Sequence, residues 1–433
     1  MPMMSKFWMT KLYTKSLPWI SPRAALVRVP AGRGTVLLES VRGGQYSILA
    51  WQPIKIIKTL KTLERAQTAL PKMQTQLPFA GGLIGLLPYE LGADFESIPR
   101  PARDISELPE LWFGLFDGGL IFDHKEKKLT AVAWSADRLR EMNAQLQHPA
   151  LPIRALQESR MILKSNFTKT KYCAAVRKIQ KLIRDGFTFQ VNLSQRFAAR
   201  VGDIDPVQLY DRLCRANPAP FAGYLDAGSF QVISSSPELL FKTTGRQIET
   251  WPIAGTRPRG ATTATDRELA HELRDSEKEQ AEHVMLVDLL RNDLGRVSEL
   301  GSVQVDRLAR VEKYARVQHL VSRISGELRQ GVSFAEILRA MHPGGTITGC
   351  PKVETMKIIS QLEDATRGVY TGALGYVSAH GDTQFSILIR TLTLQPSELS
   401  FQAGGGVVAD SDPAAEYAET LDKAAALFEA VLK

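Results

Sequence analysis

Apolar and polar positions alternate along this chain with two different periods, and their order predicts its elements. Between residues 24 and 60 four short runs, AALVRV, TVLLESV, YSILAW and IKIIKTL, have β-type spacing with Gly-rich turns between them. FAGGLIGLLPYELG (79–92) reads as a Gly-punctuated strand entering a helix, and GLIFDHKEKKLTAVAW (119–134) as a hairpin turning at HKEKK. The polar, helical stretch from about 135 to 168 is the candidate connector between an N-terminal and a C-terminal portion. From 169, TKTKYCAAVRKIQKLIRDG has helical period and a Gly stop. A strand in FTFQVNLSQRFAARV, a helix over 206–216 and a meander through YLDAGSFQVISSSPELLFKTT follow. Helices dominate 264–295 and 333–362, and GALGYVSAH, a Gly381-Asp382 hairpin, TQFSILIRTLTL and LSFQAGGGVVA predict a C-terminal sheet. Strands mixed with long helices, without regular βαβ alternation, predict a large α+β fold with sheets packed face to face as a sandwich core and helices outside.

Two Glu-x-x-Glu pairs open helical stretches: Glu279/Glu282 and Glu416/Glu419. Residues three apart share a helix face, so the members of each pair repel unless something cationic neutralises them. Solvated helix surface is one reading. The other is that the two faces meet, and four carboxylates surround a hard cation such as Mg²⁺. Read as one strand, TQFSILIRTLTL places Arg390 on a largely apolar face, where a guanidinium needs a partner: an internal carboxylate, or a substrate carboxylate held in a bidentate clamp. MHPGGTITGCPKVETM sets a Gly-rich turn before a helix starting near Pro351, an anion-binding arrangement to which Thr346, Thr348 and Lys352 add donors. AGGGVVAD (403–410) reads as a second Gly-rich turn. Glu238 and His319 lie in apolar contexts, where burial shifts a pKa toward acid–base usefulness, although a satisfied core histidine is the commoner fate. These residues describe a Mg²⁺-dependent enzyme acting on a small carboxylate.

Composition changes this picture little. With 44% hydrophobic and 23% charged residues in 433, the chain is an ordinary globular protein large enough for two or three domains. No apolar run reaches spanning length and the opening has no signal-peptide core, so the expectation is cytoplasmic, without membrane contact. Three scattered cysteines (Cys173, Cys214, Cys350) make neither a disulfide framework nor a zinc site. The net charge of +8 arises within residues 1–60, where nine Lys/Arg face Glu39 alone. Those charges are spread among strand-like runs, which argues against nucleic-acid binding.

Six ordered strings are more specific: PIAGTRPRG (252–260), AEHVMLVDLLRNDLGRV (281–297), HLVS (319–322), PGGTITGCPK (343–352), ILIRT (387–391) and AGGGVVADSDPAAEYAET (403–420). Together they resemble the chorismate-utilising enzyme family, and most closely component I of aminodeoxychorismate synthase and of anthranilate synthase. The match is dense over 170–430 and weak before it. It implies an anthranilate synthase component I-like fold, with an N-terminal region at 1–140 and a chorismate-binding region at 169–433 interleaved in it. It also implies Mg²⁺ between the acidic helices, coordinating the ring carboxylate of chorismate. By motif position Glu282 and Glu419 are implied as metal ligands, and Glu279 and Glu416 as partners of its water shell. Arg390 and Tyr370, with Gly404, Gly405 and Gly406, would hold the enolpyruvyl carboxylate. Glu238 would protonate the departing 4-hydroxyl, His319 would assist at the ring or leaving group, and Thr346 would face the substrate.

A few positions bear on which member this is. Water-adding relatives carry a Lys where this chain has Gln190, so the nucleophile is expected to be ammonia, made from glutamine by a separate glutaminase. No glutaminase is expected in this chain, since no Cys-Gly elbow occurs, and the protein would be a monomer or a heterodimer with that partner. Many aminodeoxychorismate synthases have a covalent Lys in PIKGT; this chain has Ala254, as anthranilate synthases do, although some members of the first group share PIAGT. PGGTITG, NPAPFAGYL and PYELGADFESIP resemble the aminodeoxychorismate form. LLES (37–40) and YSILA (46–50) resemble a tryptophan-binding strand pair through Leu38, Glu39, Ser40, Tyr46 and Ser47, or are simply two strands of a core. The expectation is 4-amino-4-deoxychorismate synthesis for folate, with anthranilate synthesis as the alternative and a catalytically silent binding homologue as the third reading.

Overall fold

The structure, a computed structural model, describes residues 11–30, 32–101, 108–150, 161–313 and 317–432. It is an α+β fold of two antiparallel sheets. The twelve-stranded sheet runs Tyr13–Leu17, Lys128–Ala133, Gly118–Asp123, Tyr46–Ala50, Thr35–Glu39, Phe221–Asp226, Gln231–Ser236, Thr391–Gln395, Glu398–Val407, Gln190–Arg200, Gly349–Cys350, with Lys164–Ser165 also against Gln190–Arg200. The ten-stranded sheet runs Ile253–Pro258, Val317–Glu327, Gln247–Trp251, Leu239–Thr244, Thr383–Ile387, Ala373–Ser378, Gly82–Leu87, Trp112–Phe116, Lys55–Ile57, with Gln304–Lys313 on the free edge of Val317–Glu327. Residues before 140 and after 220 pair directly within both sheets: Leu38 lies opposite Gly223, and Gly85 opposite Gly375.

The period-2 pattern determines how the sheets stack. Val36, Ile48, Ala50 and Val232 of one sheet meet Ile84, Leu86, Leu374 and Tyr376 of the other in a single buried cluster between them. Their strand neighbours point outward. Leu37, Leu49 and Ile233 pack under the helices Pro206–Ala216 and Pro413–Leu432, while Leu83, Leu87 and Val377 pack under Glu277–Gly295 and Phe334–Met341. Each such side chain contributes about 1.5–3 kcal/mol on burial, so the layers are fixed by apolar area.

Several sequence expectations are corrected. AALVRV is not a strand: Ser21 caps Pro22–Leu26 as a short helix, its hydroxyl accepting from the Ala24 N–H. TQFSILIRTLTL is not one strand. Thr383–Ile387 belongs to the ten-stranded sheet and Thr391–Gln395 to the twelve-stranded sheet, and the chain crosses between them at Leu388–Arg390, with Arg390 at φ +52°. AGGGVVAD is not a turn at its glycines, which lie inside strand Glu398–Val407. Pro351 is the cap of helix Lys352–Leu362 rather than a residue of its first turn, whereas the helices expected over 264–295 are present as Thr263–Asp275 and Glu277–Gly295, parted at Ser276. The connector is a helix at Ala136–Gln147 before it passes outside the described residues at 151–160.

One buried cation ties these layers together. Arg367, 4% exposed, donates to both oxygens of Glu363 (2.7 and 2.9 Å) and to the carbonyls of Ile347 (2.9 Å) and Asn192 (2.7 Å). Tyr89 and Tyr370 place their rings 4.9 and 5.6 Å from its guanidinium carbon. Removing the carboxylate leaves this charge buried and uncompensated. Glu363→Ala is therefore expected to lower stability by about 3–5 kcal/mol in urea denaturation.

Candidate active site

The two acidic helices start from side-chain caps legible in the sequence. Ser276 accepts from the Glu279 N–H at the head of Glu277–Gly295, and Asp412 accepts from Ala414 and Ala415 at the head of Pro413–Leu432. Both heads meet the strand carrying Gly404, Gly405 and Gly406. A Cβ at Gly405 would lie 3.1 Å from Glu416 Oε2 and 3.6 Å from Glu419 Oε1; one at Gly406 would lie 2.2 Å from Gln190 Nε2 and 3.3 Å from Glu282 Oε1. Glycine at these two positions lets the carboxylates and the Gln190 amide approach the backbone this closely. Burial raises the pKa of Glu282, with Glu279 and Glu419 adding to it, against a hydrogen bond from Gln190 Nε2 at 2.7 Å. Burial also raises Glu416, which Ser411 Oγ partly offsets at 2.6 Å while Glu419 opposes. Glu279 is held by Arg257 Nη1 at 3.0 Å.

Facing this cradle, burial drives Glu238 up to about 7 even though Thr346 Oγ1 donates to its Oε1 at 2.7 Å and the Ile253 N–H to its carboxyl. His319 Nδ1 lies 3.0 Å from the Gly255 carbonyl, which can only accept, so Nδ1 carries the ring proton. Burial, with Arg390 and Lys423 nearby, lowers the His319 pKa to about 3, so the imidazole is neutral and Nε2 is its basic face. Arg390 donates to Asn217 Oδ1 at 2.8 Å. Tyr370 is buried beneath Arg367. Ala254 lies opposite Leu320 on the strand next to His319 and presents only a methyl group.

Other expected residues lie elsewhere. Lys352 Nζ is 2.6 Å from Asp293 and 3.3 Å from the Ala340 carbonyl, in the wall of a cavity of about 690 Å³ that also borders Ala281, Val284 and Phe189. Thr348 Oγ1 donates to the Gly344 carbonyl at 2.9 Å and is fully buried. Leu38, Glu39, Ser40 and Tyr46 border an inter-sheet cavity of about 600 Å³ with Phe221, Leu239 and Trp251. Ser47 is not in that wall; it meets His124 Nε2 at 2.6 Å. Glu39 is engaged by Arg23 and by the Tyr210 hydroxyl at 2.7 Å.

Two functional positions escaped the sequence reading. His283 Nε2 and Ser322 Oγ share a hydrogen bond of 2.5 Å, pinning the helix of Glu282 to the strand of His319. Lys423 Nζ lies 2.6 Å from Glu419 Oε1 and 3.2 Å from the Gly404 carbonyl. Its only signal was Glu419 four residues before it, a spacing that usually means a surface ion pair.

The residues fit a hard cation, on two observations. Glu416 Oε2 and Gln190 Oε1 are buried acceptors with no hydrogen-bond donor among the described residues. The carboxylates around them are destabilised by one another. Among the described residues no group of three or more His, Cys, Asp or Glu side chains is placed to hold a metal ion, so the four carboxylates do not close around one point. Mg²⁺ does not require such closure, since it is commonly bound through one or two carboxylates together with water and substrate oxygens.

Residues 33–429 match the model of the chorismate binding enzyme family. This chain belongs to that family. It is 41% identical over 425 residues to aminodeoxychorismate synthase component 1 of Bacillus subtilis, covering 90% of each chain. It is 39% identical over 430 residues to anthranilate synthase component 1 of Streptomyces coelicolor, covering 91% of this chain and 83% of the relative. The crystal structure of anthranilate synthase component I from Streptococcus pneumoniae superposes with a TM-score of 0.80 at 36% identity, over 94% of this chain and 96% of that one. In the family member described here, no helix among the described residues is long and apolar enough to cross a membrane.

Glu238 gives this site a pH signature in stability. Its folded-state pKa of about 7 lies above the ordinary carboxylate value of 4.5, so its proton is held more tightly when folded. Stability from this group is full below the ordinary value and is lost as pH rises through about 7. Glu238→Gln is expected to be more stable than the parent by about 2–3 kcal/mol at pH 8 in urea denaturation, the gap narrowing toward about pH 5.

Proposed function

We propose that this chain is component I of an aminodeoxychorismate synthase, which replaces the 4-hydroxyl of chorismate by an amino group, releasing water. The observation that carries amination is Gln190, an amide on Glu282 at 2.7 Å where a water-adding enzyme needs a base. With no group there to generate hydroxide, the nucleophile is ammonia, supplied from glutamine by a separate glutaminase. Assignment to the 4-amino product rests on PGGTITG, on the absence of the Pro-Ser-Pro-Tyr-Met string, and on the 41% identity to a component 1 of that activity.

Glu238, partly protonated near neutrality, donates the proton that lets the 4-hydroxyl leave as water, and the Thr346 hydroxyl keeps its Oε1 oriented. Ammonia forms the new carbon–nitrogen bond and loses a proton to solvent, while neutral His319 offers Nε2 as a hydrogen-bond acceptor at the ring or leaving group. Arg390 and Tyr370, beside Gly404–Gly406, bind the enolpyruvyl carboxylate. Glu282 and Glu419 would hold Mg²⁺, with Glu279 and Glu416 turned to its waters; when bound it supplies positive charge for the ring carboxylate. With Ala254 in place of a lysine, ammonia adds directly, without a covalent enzyme intermediate. The inter-sheet cavity at Leu38–Ser40 and Tyr46 is proposed as an amino-acid effector pocket, which adding tryptophan to the assay below tests.

Anthranilate synthesis is the second reading, favoured by Ala254 and by the 39% identical relative. Incubating the chain with chorismate, Mg²⁺ and ammonium separates them. A product converted to 4-aminobenzoate by an added lyase is expected. Fluorescent anthranilate would overturn the first reading in favour of the second, and unconsumed chorismate would favour a silent homologue. A second outcome follows from Thr346. Its hydroxyl favours the Glu238 carboxylate, so Thr346→Val raises that pKa further above 7, and the alkaline limb of kcat/KM should move up by about 0.5–1 pH unit.

A further inference from the structure

Lys423 lies among the groups of the candidate site, although nothing in its sequence context marked it. Its ammonium is 2.6 Å from Glu419 Oε1 and 3.2 Å from the Gly404 carbonyl. Its field also reaches Glu238, Glu282 and His319 across the site, besides Glu416 on its own helix. The other charges that face Glu416 and Glu282 are Lys278, Glu279 and Glu419. Arg257 is already committed between Glu279 and Glu272. The cation that contacts Glu419 is therefore a side chain of this protein. At 41% exposure, and on a flexible four-carbon stem, it can leave without disturbing the core.

We infer that Lys423 is a tethered counter-ion that competes with a divalent cation for Glu419, and that metal binding proceeds by displacing its ammonium from that carboxylate. This rests on the reading of Glu282 and Glu419 as cation ligands. Two features of the geometry favour an exchange of this kind. Glu419 Oε1 cannot contact a lysine nitrogen at 2.6 Å and coordinate a metal through the same lone pairs. And while the lysine sits there, Glu416 Oε2 and Gln190 Oε1, 7% and 3% exposed, are left without donors among the described residues, and a cation with its waters would satisfy them. The lysine makes the substrate-free cradle tolerable, and it lowers the cradle's affinity for metal by the strength of the ion pair that must be broken.

The test is Mn²⁺ binding to the whole chain without chorismate, followed by the loss of the free-ion EPR signal. Lys423→Met is expected to bind Mn²⁺ about three- to tenfold more tightly than the parent, the range set by a partly exposed ion pair. Its thermal midpoint without metal should fall, and the rise on adding Mn²⁺ should exceed the parent's. Lys423→Gln serves as the second variant and should behave alike. Glu419→Gln, alone and combined with Lys423→Met, should weaken Mn²⁺ binding. Equal or weaker binding by both lysine variants, with Glu419→Gln still weakening it, overturns the competition and leaves the metal site standing. Mn²⁺ binding indifferent to Glu419→Gln in either background overturns the metal-site reading and the competition with it.

Discussion

The candidate site depends on carboxylates being held closer to one another than they would choose to be. Glu282 on one helix, Glu416 and Glu419 on another, approach the backbone at Gly405 and Gly406, where a Cβ would crowd the carboxylates and overlap the Gln190 amide. Repulsion at this distance in a poorly solvated place is expensive, and it is borne by apolar contacts made elsewhere. Val287, Leu290 and Leu294 fasten the first helix to the ten-stranded sheet, and Ala424, Leu427 and Val431 fasten the second to the twelve-stranded sheet. The two sheets are in turn joined by the core between them. Stability is thus generated on the two outer faces and in the middle layer, and is spent as like-charge proximity at one end.

Glu238 and His319, to which the proton donor and the hydrogen-bond acceptor are assigned in the proposed function, follow a different logic. They are shifted in opposite directions by the same cause, burial, so that one keeps its proton near neutrality and the other loses it. Each is oriented by a neighbour from another element: Thr346 for the glutamate, the Gly255 carbonyl for the imidazole. The His283–Ser322 hydrogen bond then joins the strand of His319 to the helix of Glu282.

Much of this was legible in the sequence, for identifiable reasons. Helices with strong caps and a clear apolar face, such as Pro206–Ala216 and Lys169–Arg184, were read nearly to the residue, and so was the hairpin at 118–133. The motifs indicated Glu238, His319 and the acidic pairs as residues worth attention. What failed was whatever depends on which sheet a strand joins. Period-2 alternation continues smoothly through TQFSILIRTLTL, and nothing local reports that the partner strands change at Leu388. The long pair Gln304–Lys313 and Val317–Glu327 was missed because its first strand is largely exposed and charged. Lys352 looked like an anion donor because its partner, Asp293, is distant in sequence. Lys423 was overlooked for the opposite reason, since its Glu419 pairing is ordinary in any helix.

The crossing between sheets has a consequence for how this protein tolerates change. Arg390 at φ +52° and Thr371 at φ +60° sit on either side of it, the Thr371 N–H donating to the Leu388 carbonyl at 2.8 Å. Both occupy left-handed backbone that a side chain disfavours by about 1–2 kcal/mol, and threonine is among the residues least suited to it. Glycine would relieve the backbone at either position. A search for sturdier versions of this protein that scored only survival on heating would be drawn to these two places. At Arg390 it would be rewarded for removing the guanidinium that faces Asn217 and His319. Robustness and the proposed chemistry pull on the same backbone angle at Arg390, so a residue that looks like a flaw in the fold is one that a functional screen would be set to protect.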